Sequence, residues 1–215
     1  MDKDKFDRYL KQALSTVYSE PDTPNFHTPI IHQAVDTFVP EMKLAKDAHI
    51  LDIGCGQGAF MKYMVQKGFD NMIGVTLSIE DAEACQTDGF ETLCCDFSDL
   101  KLADSSVDMI WCRHALEHSP YPIFSLMEFN RILKIGGSLY VELPSPNLDG
   151  RKHEENPNHY SVMGDRMWMS LFGKTGFRIN QYRQLMFHVE QEGQRMDEMF
   201  YCFVLQKNTS LPCSQ

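Results

Sequence analysis

The sequence predicts an α/β fold: a doubly wound, mostly parallel sheet covered by helices on both faces, with an antiparallel strand pair near its C-terminal end. Three observations predict it. From residue 48 to about 143, short apolar β-like runs alternate with stretches of helical periodicity, the pattern of a parallel sheet with crossover helices. A glycine turn, Gly54-Cys55-Gly56-Gln57-Gly58, stands between the first such strand and the helix after it. Beyond Gly176, two β-like runs follow one another across a short polar loop at 190–194, too short for a parallel crossover.

Taken in order, Phe6, Tyr9, Leu10, Leu14 and Val17 recur at helical spacing over 5–18, and Pro21, Pro24 and Pro29 break the pattern before a second helix over 29–38. Ala48–Ile53 reads as a strand and 58–67 as a helix ended by Gly68. Met72–Leu77 is a strand, and Ser78 is a suitable N-cap for a helix over 79–86. Strands follow at Glu91–Cys95 and Val107–Cys112, then a helix over 121–133, a turn at Gly136-Gly137 and a strand at Ser138–Leu143. A helix over 161–173 leads to Gly176 and the runs 177–187 and 196–206. We divide the chain into an N-terminal helical lid segment (1–40), one α/β domain (41–207) and a short tail (208–215).

The 215 residues suffice for one domain with a sizeable core. Twenty Lys and Arg against thirty Asp and Glu give a net charge of −10, with no basic cluster longer than Arg151-Lys152. Phosphate neutralisation supplies most of the affinity of duplex-binding proteins, so nucleic acid and anionic membrane are not expected as main partners. No apolar run is long enough to span a bilayer and no secretory leader is visible. The seven cysteines are odd in number and irregularly spaced, without a CxxC pair; we expect reduced structural thiols in a cytoplasmic protein.

The glycine turn marks a nucleotide-type site, because ligands of open α/β sheets bind beyond the carboxyl ends of the strands. Its spacing alone leaves three readings: a tight turn, the dinucleotide fingerprint G-x-G-x-x-G/A, and a G-x-G-x-G loop preceded by Asp52. Asp52 separates the last two. A carboxylate at the mouth of the first strand suits a ligand with an ammonium group and a sulfonium, and sits poorly beside a pyrophosphate.

Here the chain resembles the class I (Rossmann-like) methyltransferases, whose first motif commonly reads (I/L)LD(I/V)GCGxG, as residues 50–58 nearly do. The resemblance continues through Ser106–His118, through Arg131–Leu139 ("RvLKpGGxl", with Ile135 in the usual proline place), and weakly to Gly176-Phe177. It implies a seven-stranded sheet of order 3-2-1-4-5-7-6, S-adenosylmethionine as cofactor and a small-molecule methyl acceptor. It also implies that Asp52, Gly54, Cys55, Gly56, Gln57 and Gly58 cradle the cofactor, that Asp96 and Phe97 read its adenine, and that Arg113 and His114 flank it. At Thr76-Leu77-Ser78 the chain departs from the family's commonest pattern, since Thr76 replaces the acid that holds the ribose; backbone, Glu80 or Asp81 must then assist.

Methyl transfer from a sulfonium is an in-line displacement, in which a base is needed only for a hydroxyl or ammonium acceptor. His118 and His159 are the candidates, with Glu142 behind them. The polar, Pro- and Asn-rich stretch 144–160 is expected to cover the acceptor, with Tyr18–Thr28 as the other part of the lid. His114-Ala115-Leu116-Glu117-His118 also spells the zinc-peptidase pattern H-x-x-E-H, with Glu190 or Glu192 as third ligand. It follows a buried strand rather than opening a long helix, and Pro120 and Pro122 limit any helix there, so no metal is expected. A nicotinamide-dependent oxidoreductase and a non-catalytic module of the same fold remain the alternatives; Asp52 and Asp96 have no part in the first.

Overall fold

The computed structural model describes residues 3–15, 17, 27–146, 153–191 and 194–211. Among the described residues six α-helices and seven strands follow one another: α1 (Lys3–Ala13), α2 (His27–Phe38), β1 (Ile50–Ile53), α3 (Ala59–Gln66), β2 (Met72–Thr76), α4 (Ile79–Thr87), β3 (Glu91–Cys94), β4 (Val107–Arg113), α5 (Pro122–Ile132), β5 (Leu133–Pro144), α6 (Asp165–Lys174), β6 (Phe177–Gln191) and β7 (Gln194–Lys207). The sheet order is β3-β2-β1-β4-β5-β7-β6. Strands β1 to β5 pair in parallel, and β7 runs antiparallel to both β5 and β6. This is the expected architecture.

Alternation along the strands splits the core into two layers. Leu51 and Ile53 of β1, with Ile110 and Cys112 of β4, pack with Leu126 and Phe129 of α5 and with Trp168 and Phe172 of α6. On the opposite face Ile50 and Trp111 join Phe38 of α2 and Phe60 and Met64 of α3. There Phe60, Trp111 and Tyr140 form an aromatic stack with ring centroids 4.5 and 4.1 Å apart. Each buried ring removes a large apolar area from water, and the stack pins α3 across β4 and β5.

Three boundaries differ from expectation. β5 begins at Leu133 and runs through Gly136-Gly137 instead of starting after a turn. The pairing with β4 shifts register between Val107 and Met109, and a Cβ on Gly137 would lie 2.8 Å from the Lys134 carbonyl oxygen. The glycines therefore bend a continuous strand. Helix α6 starts at Asp165, not 161, because Ser161 donates from its N–H to Glu117 O (3.0 Å) and from its hydroxyl to Ser119 O (3.0 Å), which holds the chain extended. Strands β6 and β7 pair as far as Gln191↔Gln194, well beyond 187 and 196. Of the expected lid, residues 18–26 and 147–152 lie outside the described residues, as do Cys213 and the side chains of Glu190 and Glu192. Cys55, Cys85, Cys112 and Cys202 are free and buried, whereas Cys94 is exposed.

Candidate functional site

β1 ends in the middle of the sheet, between β2 and β4, and its carboxyl end carries Asp52, whose residue is 3% exposed. The chain then turns sharply. Gly54 and Cys55 both donate their N–H to Val75 O at 2.8 and 3.1 Å, which ties the turn to β2. Gly54, Gly56 and Gly58 adopt φ of 70, 48 and 80°, the left-handed region that side chains resist. At Gly54 space forbids a side chain as well, since a Cβ would lie 2.7 Å from the Ala115 Cβ. Gln57 is half-buried beside them, and α3 begins one residue after Gly58.

The second strand delivers Thr76, Leu77 and Ser78 to the same edge. The Thr76 hydroxyl accepts from the Ser78 N–H at 3.1 Å. The Ser78 hydroxyl accepts from the Asp81 N–H, the expected N-cap of α4, and donates to Glu80 Oε2 at 3.1 Å. A carboxylate of the first turn of α4 is thus held beside the threonine. After β3, Asp96 Oδ1 accepts from the Ser98 N–H at 2.9 Å, so one oxygen closes a turn. The Phe97 ring packs toward Phe129, with centroids 5.9 Å apart.

The fourth and fifth strands meet in a buried ionic cluster. Arg113 and Glu142 are parallel-strand partners, and Arg113 Nε lies 2.8 Å from Glu142 Oε1 with both side chains enclosed. Tyr140 donates its hydroxyl to Glu142 Oε2 at 2.7 Å. His114, at φ 49°, sets its Nε2 3.0 Å from Glu142 Oε1 and its Nδ1 3.4 Å from Glu117 Oε1. Burial pushes the Glu142 carboxyl up, but the charge of Arg113 and the bonds from His114 and Tyr140 outweigh it and hold it at about 2. For His114, burial and Arg113 act downward and the two carboxylates prevail, raising it above the usual histidine value. Arg113 and His114 therefore spend their side chains on the two glutamates, and Glu142 is locked in an ion pair, unsuited to accept a proton from a substrate.

His118 and His159 come together although 41 positions apart. A short 3-10 turn, Leu116–His118, follows β4, and the segment after 153 docks on it. Tyr160 and Ser161 donate their N–H groups to Glu117 O at 2.9 and 3.0 Å. The two imidazoles meet edge to face with centroids 4.7 Å apart. Burial keeps the His159 pKa below the ordinary value despite the nearby Glu117 charge. One ligand atom each from Glu117, His118 and His159 lies within 4.8 Å of the others. That grouping was not foreseen, since H-x-x-E-H pairs His114 with His118, and His114 faces Glu142 instead.

The Tyr160 hydroxyl donates to Ala13 O at 2.7 Å, fastening the end of α1 to this segment. Phe6 of α1 packs on Tyr121 and Phe124 at 5.8 and 6.3 Å. A cavity of about 700 Å³ lies beneath α1, between it and α5. Asp96, Ser98 and Ser119 reach its wall but the glycine turn does not; the turn's strand-edge geometry, not this cavity, marks the cofactor end of the site.

A family model described as a methyltransferase domain matches residues 51–141. An uncharacterized protein of Methanocaldococcus jannaschii is 30% identical over 72% of this chain and 66% of its own length. A glycine/sarcosine/dimethylglycine N-methyltransferase of Actinopolyspora halophila is 25% identical over 71% of this chain and 28% of its own length. The chain thus spans less than two thirds of the lengths of these relatives. Among solved structures, a SAM-dependent methyltransferase from Archaeoglobus fulgidus superposes with a TM-score of 0.67 at 17% identity, covering 84% of this chain and 94% of that one.

Proposed function

We propose that this chain, which belongs to the class I (Rossmann-like) methyltransferases, transfers the methyl group of S-adenosylmethionine to a small-molecule acceptor. The observation that carries the reading is the buried carboxylate of Asp52 beside three left-handed glycines at the carboxyl edge of β1.

The residues present fit the cofactor. Without Cβ atoms at 54, 56 and 58 the backbone is open to close approach by a ligand. The cofactor's ammonium and sulfonium supply positive charge that a carboxylate enclosed at the strand edge attracts. Asp52, Gly54, Cys55, Gly56, Gln57 and Gly58 would hold its amino-acid end. Thr76, Leu77 and Ser78 would lie along the ribose, with Glu80 as the carboxylate that the family usually carries at position 76. Asp96 and the Phe97 backbone would read the adenine. Arg113 and His114 would contribute through backbone and shape, their side chains being engaged elsewhere. The bound cofactor supplies the activated methyl group; the chain supplies orientation and exclusion of water.

His118 and His159 serve the acceptor end, where a hydroxyl or ammonium acceptor must lose a proton. Helix α1, fastened through Tyr160, acts with the 153–161 segment as cover over that end. Among the described residues no helix is long and apolar enough to cross a membrane.

The test is a melting titration of the full chain with S-adenosylhomocysteine and, separately, NADH. A ligand of the native state raises the midpoint by mass action. A saturable rise with S-adenosylhomocysteine and none with NADH is expected; the reverse would assign the glycine turn to a dinucleotide.

A further inference from the structure

We propose that Glu117, His118 and His159 form a binding site for a divalent transition-metal ion, with one carboxylate oxygen and two imidazole nitrogens as ligands.

Geometry and hydrogen bonding carry this. One ligand atom of each residue lies within 4.8 Å of the others. Two ligands on one tetrahedral ion at ~2.0–2.1 Å stand roughly 3.3 Å apart, so the trio needs to contract by about 1.5 Å at most, a change within reach of side-chain rotation. Both imidazoles are already oriented as metal-binding histidines are. His118 Nδ1 lies 2.8 Å from Asn158 O, and His159 Nδ1 lies 2.8 Å from His153 O. A carbonyl only accepts, so each Nδ1 carries a proton, and the nitrogen left to bind a cation is Nε2. Such backbone carbonyls behind the imidazoles are the usual outer support of a metal site, fixing tautomer and ring plane. The Glu117 side chain is 1% exposed, which makes it a ligand held out of water rather than a solvated acid.

The scaffold is also built in advance. The Glu117 carbonyl ties down Tyr160 and Ser161, and the Ser161 hydroxyl is bonded to Ser119 O. These bonds flank His118 at 117 and 119 and hold the chain immediately after His159. The alternative is a purely hydrogen-bonded trio. In it the Glu117 carboxylate leans on His114 Nδ1, 3.4 Å from Oε1, while the Nδ1–H groups of His118 and His159 are turned to carbonyls. Near His159 Nε2 the Asn156 amide stands at a long 3.4 Å, a contact that a cation would replace.

Two nitrogens and a carboxylate oxygen suit zinc, iron(II), cobalt(II) or nickel(II) better than magnesium or calcium. Three protein ligands leave a position for water or an acceptor oxygen. An ion there lowers the pKa of that oxygen, so the histidines would aid loss of the acceptor proton by holding the cation rather than by taking the proton themselves. That last step rests on the methyl-transfer reading; the binding of the ion does not.

The test uses tag-free full chain dialysed against a chelator, then titrated with cobalt(II) while visible d–d absorption is followed, with zinc uptake measured by equilibrium dialysis. No methyl donor is present, so the result is independent of the cofactor assignment. One saturating equivalent is expected, together with a rise in melting temperature. His159→Gln, at a half-buried position, should weaken uptake about 100-fold or more while its circular dichroism stays native. Glu117→Gln should do the same, provided its circular dichroism stays native. His32→Gln, remote from the trio, should take up the ion as the wild type does. Absence of saturable uptake, or uptake unchanged in His159→Gln, or loss of uptake in His32→Gln, would overturn the site.

Discussion

Substituting Gly54 by alanine tests the glycine turn at its tightest point. Two separate costs arise. The left-handed backbone at φ 70° costs a side chain about 1–2 kcal/mol. The new methyl would lie 2.7 Å from the Ala115 Cβ, well inside the ~3.5–4.0 Å of a favourable carbon contact, and overpacking of this kind costs about 1–3 kcal/mol. The sum is about 2–5 kcal/mol, or a fall in Tm of roughly 4–20 °C for a chain of this size. Only the second cost depends on residue 115. Ala115→Gly in the Gly54→Ala background should therefore recover part of the loss, giving a coupling of about 1 kcal/mol or more in a double-mutant cycle. Urea unfolding of the four proteins measures it. A Gly54→Ala cost below about 1 kcal/mol, or strict additivity of the two changes, would refute the geometry of the turn.

Asp52→Asn should weaken S-adenosylhomocysteine binding about 10- to 100-fold, the worth of a charge-assisted hydrogen bond, as read by calorimetry; unchanged affinity would remove Asp52 from the site. Glu142→Gln should cost about 3–5 kcal/mol near neutral pH by leaving Arg113 buried without its anion. Because the folded Glu142 pKa of about 2 lies below the unfolded value, its stabilisation is complete above the ordinary glutamate range and is lost as pH falls toward 2. The gap between wild type and variant should therefore narrow over that window in unfolding curves, and a constant gap would contradict the assignment. Tyr160→Phe should free the end of α1 at a cost of about 1 kcal/mol, visible as faster amide exchange across Lys3–Ala13 with unchanged exchange in β1.

The parallel half of the fold was legible because buried strands and amphipathic helices leave distinct periods. β1, α3, β2 and α4 appear where the pattern and the Ser78 cap put them. What sequence could not show was register. That Arg113 faces Glu142 follows from the alignment of β4 with β5, and no local pattern encodes it. The far ends of β6 and β7 were missed because segments such as Glu190-Gln191 and Gln194-Arg195 are polar and read as loop, yet the backbone ladder continues through them. The H-x-x-E-H string, set aside on sequence grounds, is split between two clusters in the fold. His114 sits in a left-handed turn and joins the Glu142 cluster, and the partner that His118 finds is His159, delivered by a segment docked from another part of the chain.

The most direct measurement is a crystal structure of the full chain with S-adenosylhomocysteine bound. The account predicts the ligand's amino group within hydrogen-bond distance of the Asp52 carboxylate, its backbone contacts along residues 54–58, and its adenine beside Asp96 and Phe97. Ligand seated instead in the cavity beneath α1, with the glycine turn untouched, would contradict it.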